Sequence, residues 1–288
     1  MKSFSIVGTG RVGTVLGRAL AAKGWTPRAL CDRDVKAARE SRRLIGGGSA
    51  TRELRRAGRG VDVVFVTVPD ASVATVAAEL AGAGGRWAGR VVLHTSGILP
   101  ARALEPLRKL GAAVASAHPA QAFPAKDVGT GLFKGVFWGL EGDPEALRVA
   151  LGMVRSLRGR ALLLTEEDKP LYHAACSLAS NAFVALERTA AGLLAGTGIS
   201  EAWAAAVLLP LVQGTLQNVK NLGWEKALTG PIARGDVGTV RKHLEALDAY
   251  PEVREIYEAL GRRALAGLPG GRVPGPKIKQ MKRLLGGG

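Results

Sequence analysis

An α/β domain built on a doubly wound parallel sheet, followed by an all-α C-terminal domain, is the fold class this sequence predicts. Three observations carry that reading. The chain opens with a short apolar run from Phe4 that leads into Gly8-Thr9-Gly10-Arg11-Val12-Gly13 and then into an Ala/Leu-rich segment over 14–23. Strand-like and helix-like segments then alternate as far as residue 164. From 165 onward every segment has helical character.

The opening is a strand, a tight turn and a helix, the Rossmann arrangement. Gly8 makes the turn, Gly10 lets backbone approach a pyrophosphate, and Gly13 lets the helix pack closely on the strand. The helix N-terminus at Arg11 and Val12 presents free N–H groups and a partial positive charge to phosphates. Residues 28–31 read as the second strand, closed by Asp32-Arg33-Asp34. Asp32 falls about twenty residues past the glycines, where a carboxylate holds ribose hydroxyls and favours NAD. Arg33 beside it favours the 2′-phosphate of NADP, so the cofactor is NADP or NAD with the preference open. Asp32 or Asp34 can also simply cap a helix over 35–43.

Residues 62–68 are nearly continuous apolar sequence, as expected of a strand covered on both faces, and end in Val68-Pro69-Asp70. A helix over 71–81 follows, then a strand over 90–93 ending in His94-Thr95-Ser96-Gly97. Next come a helix over 101–110 and a strand over 112–117 ending in His118-Pro119. Residues 136–140 read as a last strand, a helix runs to about 157, and 161–164 can pair beside that strand. Strand carboxyl ends face the ligand crevice in this fold. Val68, Pro69 and Asp70 are therefore assigned to the cofactor, and Ser96, Gly97 and His118 to the substrate, while His94 reads as structural.

Helices are expected over 166–195, 201–222, 237–248 and 252–266, with a short one over 277–285. The domains divide at 1–164, 165–268 and a basic Gly/Pro-rich tail, 269–288, expected to be mobile. Residues 170–186 hold no charge, which predicts a helix buried all round. His173, Ser177 and Asn181 are spaced four apart on it, within about 80° and over about 12 Å of one face. Buried polar groups need partners, and a substrate can supply them. His173 is the candidate general acid because imidazole titrates near working pH. In the loop Leu228-Thr229-Gly230-Pro231-Ile232-Ala233-Arg234-Gly235-Asp236, Arg234 can hold a substrate carboxylate and Asp236 can cap the next helix.

The composition narrows the function classes. The chain has 288 residues, 47% hydrophobic and 22% charged, and no run long enough to span a membrane. The first strand starts too early to leave room for a signal peptide, and two cysteines form no metal-type spacing. A reduced, cytoplasmic protein is expected, with no metal. The net charge of +16 is spread over the helices with few interleaved aromatics. That pattern disfavours nucleic acid and suits anionic small ligands.

These motifs together resemble the Rossmann-like family whose helical C-terminal half is a domain of unknown function. The resemblance rests on the glycine turn, Val68-Pro69-Asp70, His94-Thr95-Ser96-Gly97, Ser116-Ala117-His118-Pro119, His173-Ala174-Ala175, Ser180-Asn181 and the 228–236 loop, and spans about 1–265. More distantly the layout is similar to 6-phosphogluconate dehydrogenase-like enzymes, including ketopantoate reductase and pyrroline-5-carboxylate reductase. Ketopantoate reductases carry Lys-x-x-x-Asn-x-x-x-Asn where this chain has His173, Ser177 and Asn181. The resemblance implies an NAD(P)H-dependent oxidoreductase on a small oxo or hydroxy acid, with the active site between the domains and a homodimer formed through the helical domain. A non-catalytic NAD(P)-binding sensor is the other reading.

Overall fold

The computed structural model describes residues 2–287. It divides into two compact units, Met1–Asn181 and Ala182–Gly288. The compact division falls later than the change to purely helical sequence at 164/165, so residues 165–181 belong with the first unit.

The first unit holds an eight-stranded sheet in the order β3-β2-β1-β4-β5-β6-β7-β8. Its strands are β1 (Ser3–Val7), β2 (Thr26–Cys31), β3 (Ser49–Thr51), β4 (Val63–Val66), β5 (Val91–His94), β6 (Ala113–Pro119), β7 (Phe137–Gly142) and β8 (Arg160–Leu163). The first six run parallel. β7 runs antiparallel to β6, and β8 runs parallel to β7. The doubly wound sheet expected from sequence is present, with a reversed pair added at one edge. β3 is the strand without an apolar signal, three residues at the opposite edge.

The helices of this unit are α1 (Arg11–Ala21), α2 (Val35–Ile45), α3 (Asp70–Gly82), α4 (Glu105–Arg108), α5 (Pro144–Ser156) and α6 (Lys169–Ser177). Their cores lie on both sides of the sheet, which explains the unbroken apolar runs. Val63 and Phe65 of β4 point into one core with Leu16, Leu20 and Met153, while Val64 and Val66 point into the other with Val73, Leu80 and Leu107.

The helix expected over 166–195 is not continuous. α6 gives way to a π-helical turn, Leu178–Ala182, and then α7 (Phe183–Ala195). The wider i→i+5 ladder re-phases everything after Ser177. Nor is the segment buried all round: Leu171 is 78% exposed, and Leu178, Val184 and Leu186 are exposed as well. Lack of charge makes a face compatible with cover; it does not supply the cover.

The second unit continues with α8 (Glu201–Leu222), α9 (Trp224–Ala227), α10 (Gly230–Arg234), α11 (Val237–Ala246), α12 (Pro251–Ala266) and α13 (Gly275–Leu284). Its core joins Val240 and Leu244 of α11, Leu265 of α12, and Met281 and Leu285. The tail expected to be mobile is therefore packed. Val273, Met281 and Leu285 are buried, and Arg272 donates to the carbonyls of Glu225 and Leu228 at 2.9 and 2.8 Å. Met281 and Leu285, one helical turn apart, give the basic helix an apolar edge that charge counting overlooks.

Candidate functional site

The glycine turn follows from steric necessity. Gly8 has φ +94°, and a Cβ there would lie 2.8 Å from the carbonyl carbon of Thr67. At Gly13 a Cβ would lie 2.4 Å from the Gly8 carbonyl oxygen and from Thr67 Oγ1, so only hydrogen lets α1 sit against the strand ends. Gly10 differs: a Cβ there would meet nothing within 4 Å. Gly10 opens onto free space beside the uncapped start of α1, as backbone approached by a phosphate requires.

A cavity of about 410 Å³ extends from this turn along the strand ends. Of the residues assigned to a cofactor, Gly8, Gly10, Asp32, Arg33, Val68 and Pro69 line it. Arg11, Val12 and Gly13 instead build the first turn of α1, and Asp70 opens α3. Asp32 Oδ2 accepts from Thr9 N at 2.7 Å and Thr9 Oγ1 at 2.8 Å, and its Oδ1 accepts from Asp34 N at 3.0 Å. Its oxygens thus brace the turn, while Asp34 caps α2 by accepting from Lys36 N. Arg52 lines the same cavity as Arg33. Sequence reading missed Arg52, which follows an edge strand too short to be seen.

A second cluster lies at the carboxyl ends of β5 and β6, whose register pairs His94 with Ser116. Both nitrogens of His94 are taken: Nδ1 accepts from Ser96 N at 3.2 Å, and Nε2 donates to the Pro100 carbonyl at 3.1 Å. Burial pushes its pKa down to about 4, with the Lys169 charge adding to the effect. His94 is structural, as its sequence context suggested. The Ser96 hydroxyl accepts from Leu99 N at 3.0 Å and shapes the loop.

His118, Tyr172 and His173 come together over Gly97. A Cβ at Gly97 would lie 2.4 Å from His173 Cδ2 and 3.0 Å from His118 Nε2, so both imidazoles lean on bare backbone. Their rings meet edge to face at 5.8 Å, and His118 Nδ1 is 2.9 Å from the Tyr172 hydroxyl. Burial, with the charges of His173 and Lys169, holds the His118 pKa down at about 4. Ser177 is half-buried and Asn181 exposed in the π turn, and neither side chain makes a hydrogen bond among the described residues. Arg234 lies in the second unit, exposed in the last turn of α10; Asp236 caps α11 by accepting from Thr239 N at 3.0 Å.

Lys169, at the start of α6, is fully buried. Its Nζ donates to Ser116 Oγ at 2.6 Å and to the Ser96 carbonyl at 3.4 Å, and Ser116 Oγ donates to that carbonyl at 3.0 Å. Burial draws its pKa down to about 8, against the opposing charges of Glu141 and Asp70. Sequence reading began the uncharged stretch at Pro170 and passed over this lysine. Its place four residues before His173, continuing the His173, Ser177, Asn181 spacing backwards, was the available signal.

Among the described residues no cluster of three His, Cys, Asp or Glu side chains could hold a metal ion, and no helix is long and apolar enough to cross a membrane. A mostly parallel sheet with helices on both faces and a glycine turn at its first crossover defines a Rossmann-type α/β domain. Residues 2–119 match the Rossmann-like domain family and residues 136–264 match the domain of unknown function DUF2520. The two matches follow one another along the chain in the order its motifs indicated. A protein named as a candidate NADP oxidoreductase, BF3122 from Bacteroides fragilis, superposes with a TM-score of 0.75 at 23% identity, over 92% of this chain and 98% of that one. Protein TM1727 from Thermotoga maritima gives 0.72 at 26% identity, over 92% and 97%. A pyrroline-5-carboxylate reductase from Coxiella burnetii gives 0.58 at 18%, over 98% of each. These likenesses are of fold. Comparison with curated protein sequences gives no match.

Proposed function

We propose that this protein is an NAD(P)H-dependent oxidoreductase that moves a hydride to or from a small oxo or hydroxy acid. The observation that carries the reading is the open Gly10 turn, continuous with a cavity that runs along the strand ends. Solved structures of the same fold include a candidate NADP oxidoreductase and a pyrroline-5-carboxylate reductase, which supports the reaction class. Arg33 and Arg52 in one cavity, with the oxygens of Asp32 engaged by Thr9 and Asp34, favour the 2′-phosphate and hence NADP.

A bound dinucleotide would supply the hydride. Reduction of a carbonyl also needs one proton at the oxygen, and His173 is the group assigned to deliver it. Ser177 and Asn181 would position that oxygen, with Ser96, Gly97 and His118 on the substrate side. Ketopantoate-like 2-oxo acids are the favoured class, from the sequence resemblance. The chain would act as a homodimer through its helical half: Trp203, Val207 and Leu211 repeat every four residues along α8 and are all exposed. A second copy offers the same apolar stripe.

The test is titration with NADPH and NADH, read by nicotinamide fluorescence, followed by a panel of 2-oxo and imino acids. Saturable NADPH binding followed by substrate-dependent loss of the signal is expected. Binding with no consumption of cofactor by any acid would support the sensor instead. Failure to bind either nucleotide would end both readings.

A further inference from the structure

His118 has one nitrogen engaged and one free. Nδ1 faces the Tyr172 hydroxyl at 2.9 Å, and Nε2 has no hydrogen-bond partner among the described residues. Nor is Nε2 sealed: the buried, unpartnered side-chain nitrogens of the described residues are those of Trp87 and Trp138. The imidazole therefore presents one polar atom to solvent at the crossing of the β5 and β6 ends, above Gly97. Which proton state it presents is set by its neighbours.

A phenolic O–H is a far better donor than a neutral imidazole N–H, and an imidazole nitrogen a better acceptor than a phenol oxygen. Tyr172 therefore donates to Nδ1, and the single proton of a neutral His118 lies on Nε2. Burial, with the Cys176 thiol beside it, pushes the Tyr172 pKa up, which keeps that hydroxyl protonated, and an imidazole nitrogen accepts its proton better than a thiol. The Tyr172 ring is itself fixed, because a Cβ at Gly139 of β7 would lie 2.8 Å from its Cζ. Burial and the nearby His173 hold His118 uncharged, with a smaller contribution from Lys169. The lysine lies one turn before His173 on α6, and its ammonium, tied to Ser116 and Ser96, holds the start of that helix to β5 and β6. The titratable groups around His118 are Lys169, Tyr172 and His173 on α6 and His94 on β5, with Glu141 of β7 acting through Lys169. The cation among them opposes a second positive charge on His118.

We propose that Tyr172 is a positioning residue that holds the uncharged His118 imidazole with its proton on Nε2, and that this N–H donates to an oxygen of the substrate. The second half rests on the oxidoreductase reading; the first half does not. A neutral donor suits the carbonyl or carboxylate oxygen of an oxo acid, because it binds the oxygen without competing for the proton that His173 delivers.

The experiment is nitrogen-15 histidine spectroscopy of the full chain at neutral pH, without nucleotide. His118 is expected as one tautomer with its proton on Nε2. Tyr172→Phe should lower the ratio of the two tautomers about tenfold, the worth of one hydrogen bond. In turnover assays His118→Ala should raise KM for the oxo acid about tenfold or more, with NADPH affinity unchanged. A proton on Nδ1 in the native chain, or tautomers unmoved in Tyr172→Phe, would overturn the positioning role. An unchanged KM in His118→Ala would overturn the substrate contact. Loss of nucleotide binding would strike the oxidoreductase reading alone, since the tautomer needs no nucleotide.

Discussion

β4 and β5 of the first unit and the apolar positions of α8 in the second stand in opposite surroundings. Every residue of β4 and β5 is buried, whereas Trp203 and Leu211 of α8 are 70% and 66% exposed. A central parallel strand is covered by the crossover helices that its own topology demands. A helix has no such guaranteed partner. Apolar sequence thus means core in β4 and β5 and open surface along α8.

Substitutions within the glycine turn probe the tightly determined side of that contrast. Gly13→Ala should cost about 3 kcal/mol or more, since its Cβ meets backbone and Thr67 at 2.4 Å. Gly10→Ala should leave chemical denaturation within about 0.5 kcal/mol of the native chain while weakening nucleotide binding. Equal destabilisation by the two would remove the distinction between the packing glycine and the open one.

Acid should loosen the same unit. His94 and His118 are neutral in the fold with pKa values near 4, against an ordinary 6.5, so the unfolded chain takes up protons first. Stability should be complete above about pH 6.5 and fall as pH drops towards 4, by on the order of 3 kcal/mol per histidine. Denaturation midpoints measured across that window test it, and His118→Gln should remove about one proton's share of the slope. A flat profile would mean that neither ring is held neutral.

Replacing Arg33 and Arg52 together by Ala should weaken NADPH binding about 10- to 100-fold and leave NADH nearly unaffected. Equal loss for both nucleotides would place the arginines on a phosphate the two share. The smallest effect on single-chain stability belongs to the exposed helices. Leu211→Lys, at a position 66% exposed, should change that stability by less than about 0.5 kcal/mol. It should nevertheless shift sedimentation from dimer towards monomer, and an unchanged mass would uncouple the α8 face from association.

Much of this was legible in the residues. Local patterns announced the glycine turn, the unbroken apolar runs of β4 and β5 and the caps Asp34 and Asp236, because each depends on a few neighbouring positions. The strand-end rule likewise brought Ser96, Gly97 and His118 to one place. Lys169, Tyr172 and Arg52 were not legible as site residues, because their meaning comes from partners distant in sequence: Ser116 for Lys169, His118 for Tyr172, Arg33 for Arg52. The π turn after Ser177 also left no composition signal.

What the sequence by itself determined is the α/β sheet with its nucleotide-type turn and the helical half that follows. Periodicity and glycine sterics are local, and they leave few alternatives. What only the tertiary structure decided is which polar groups are buried together and which apolar faces go uncovered. Lys169 is buried against Ser96 and Ser116, while the apolar stripe of α8 lies open. Burial depends on what the rest of the chain places alongside, and no local pattern carries that information.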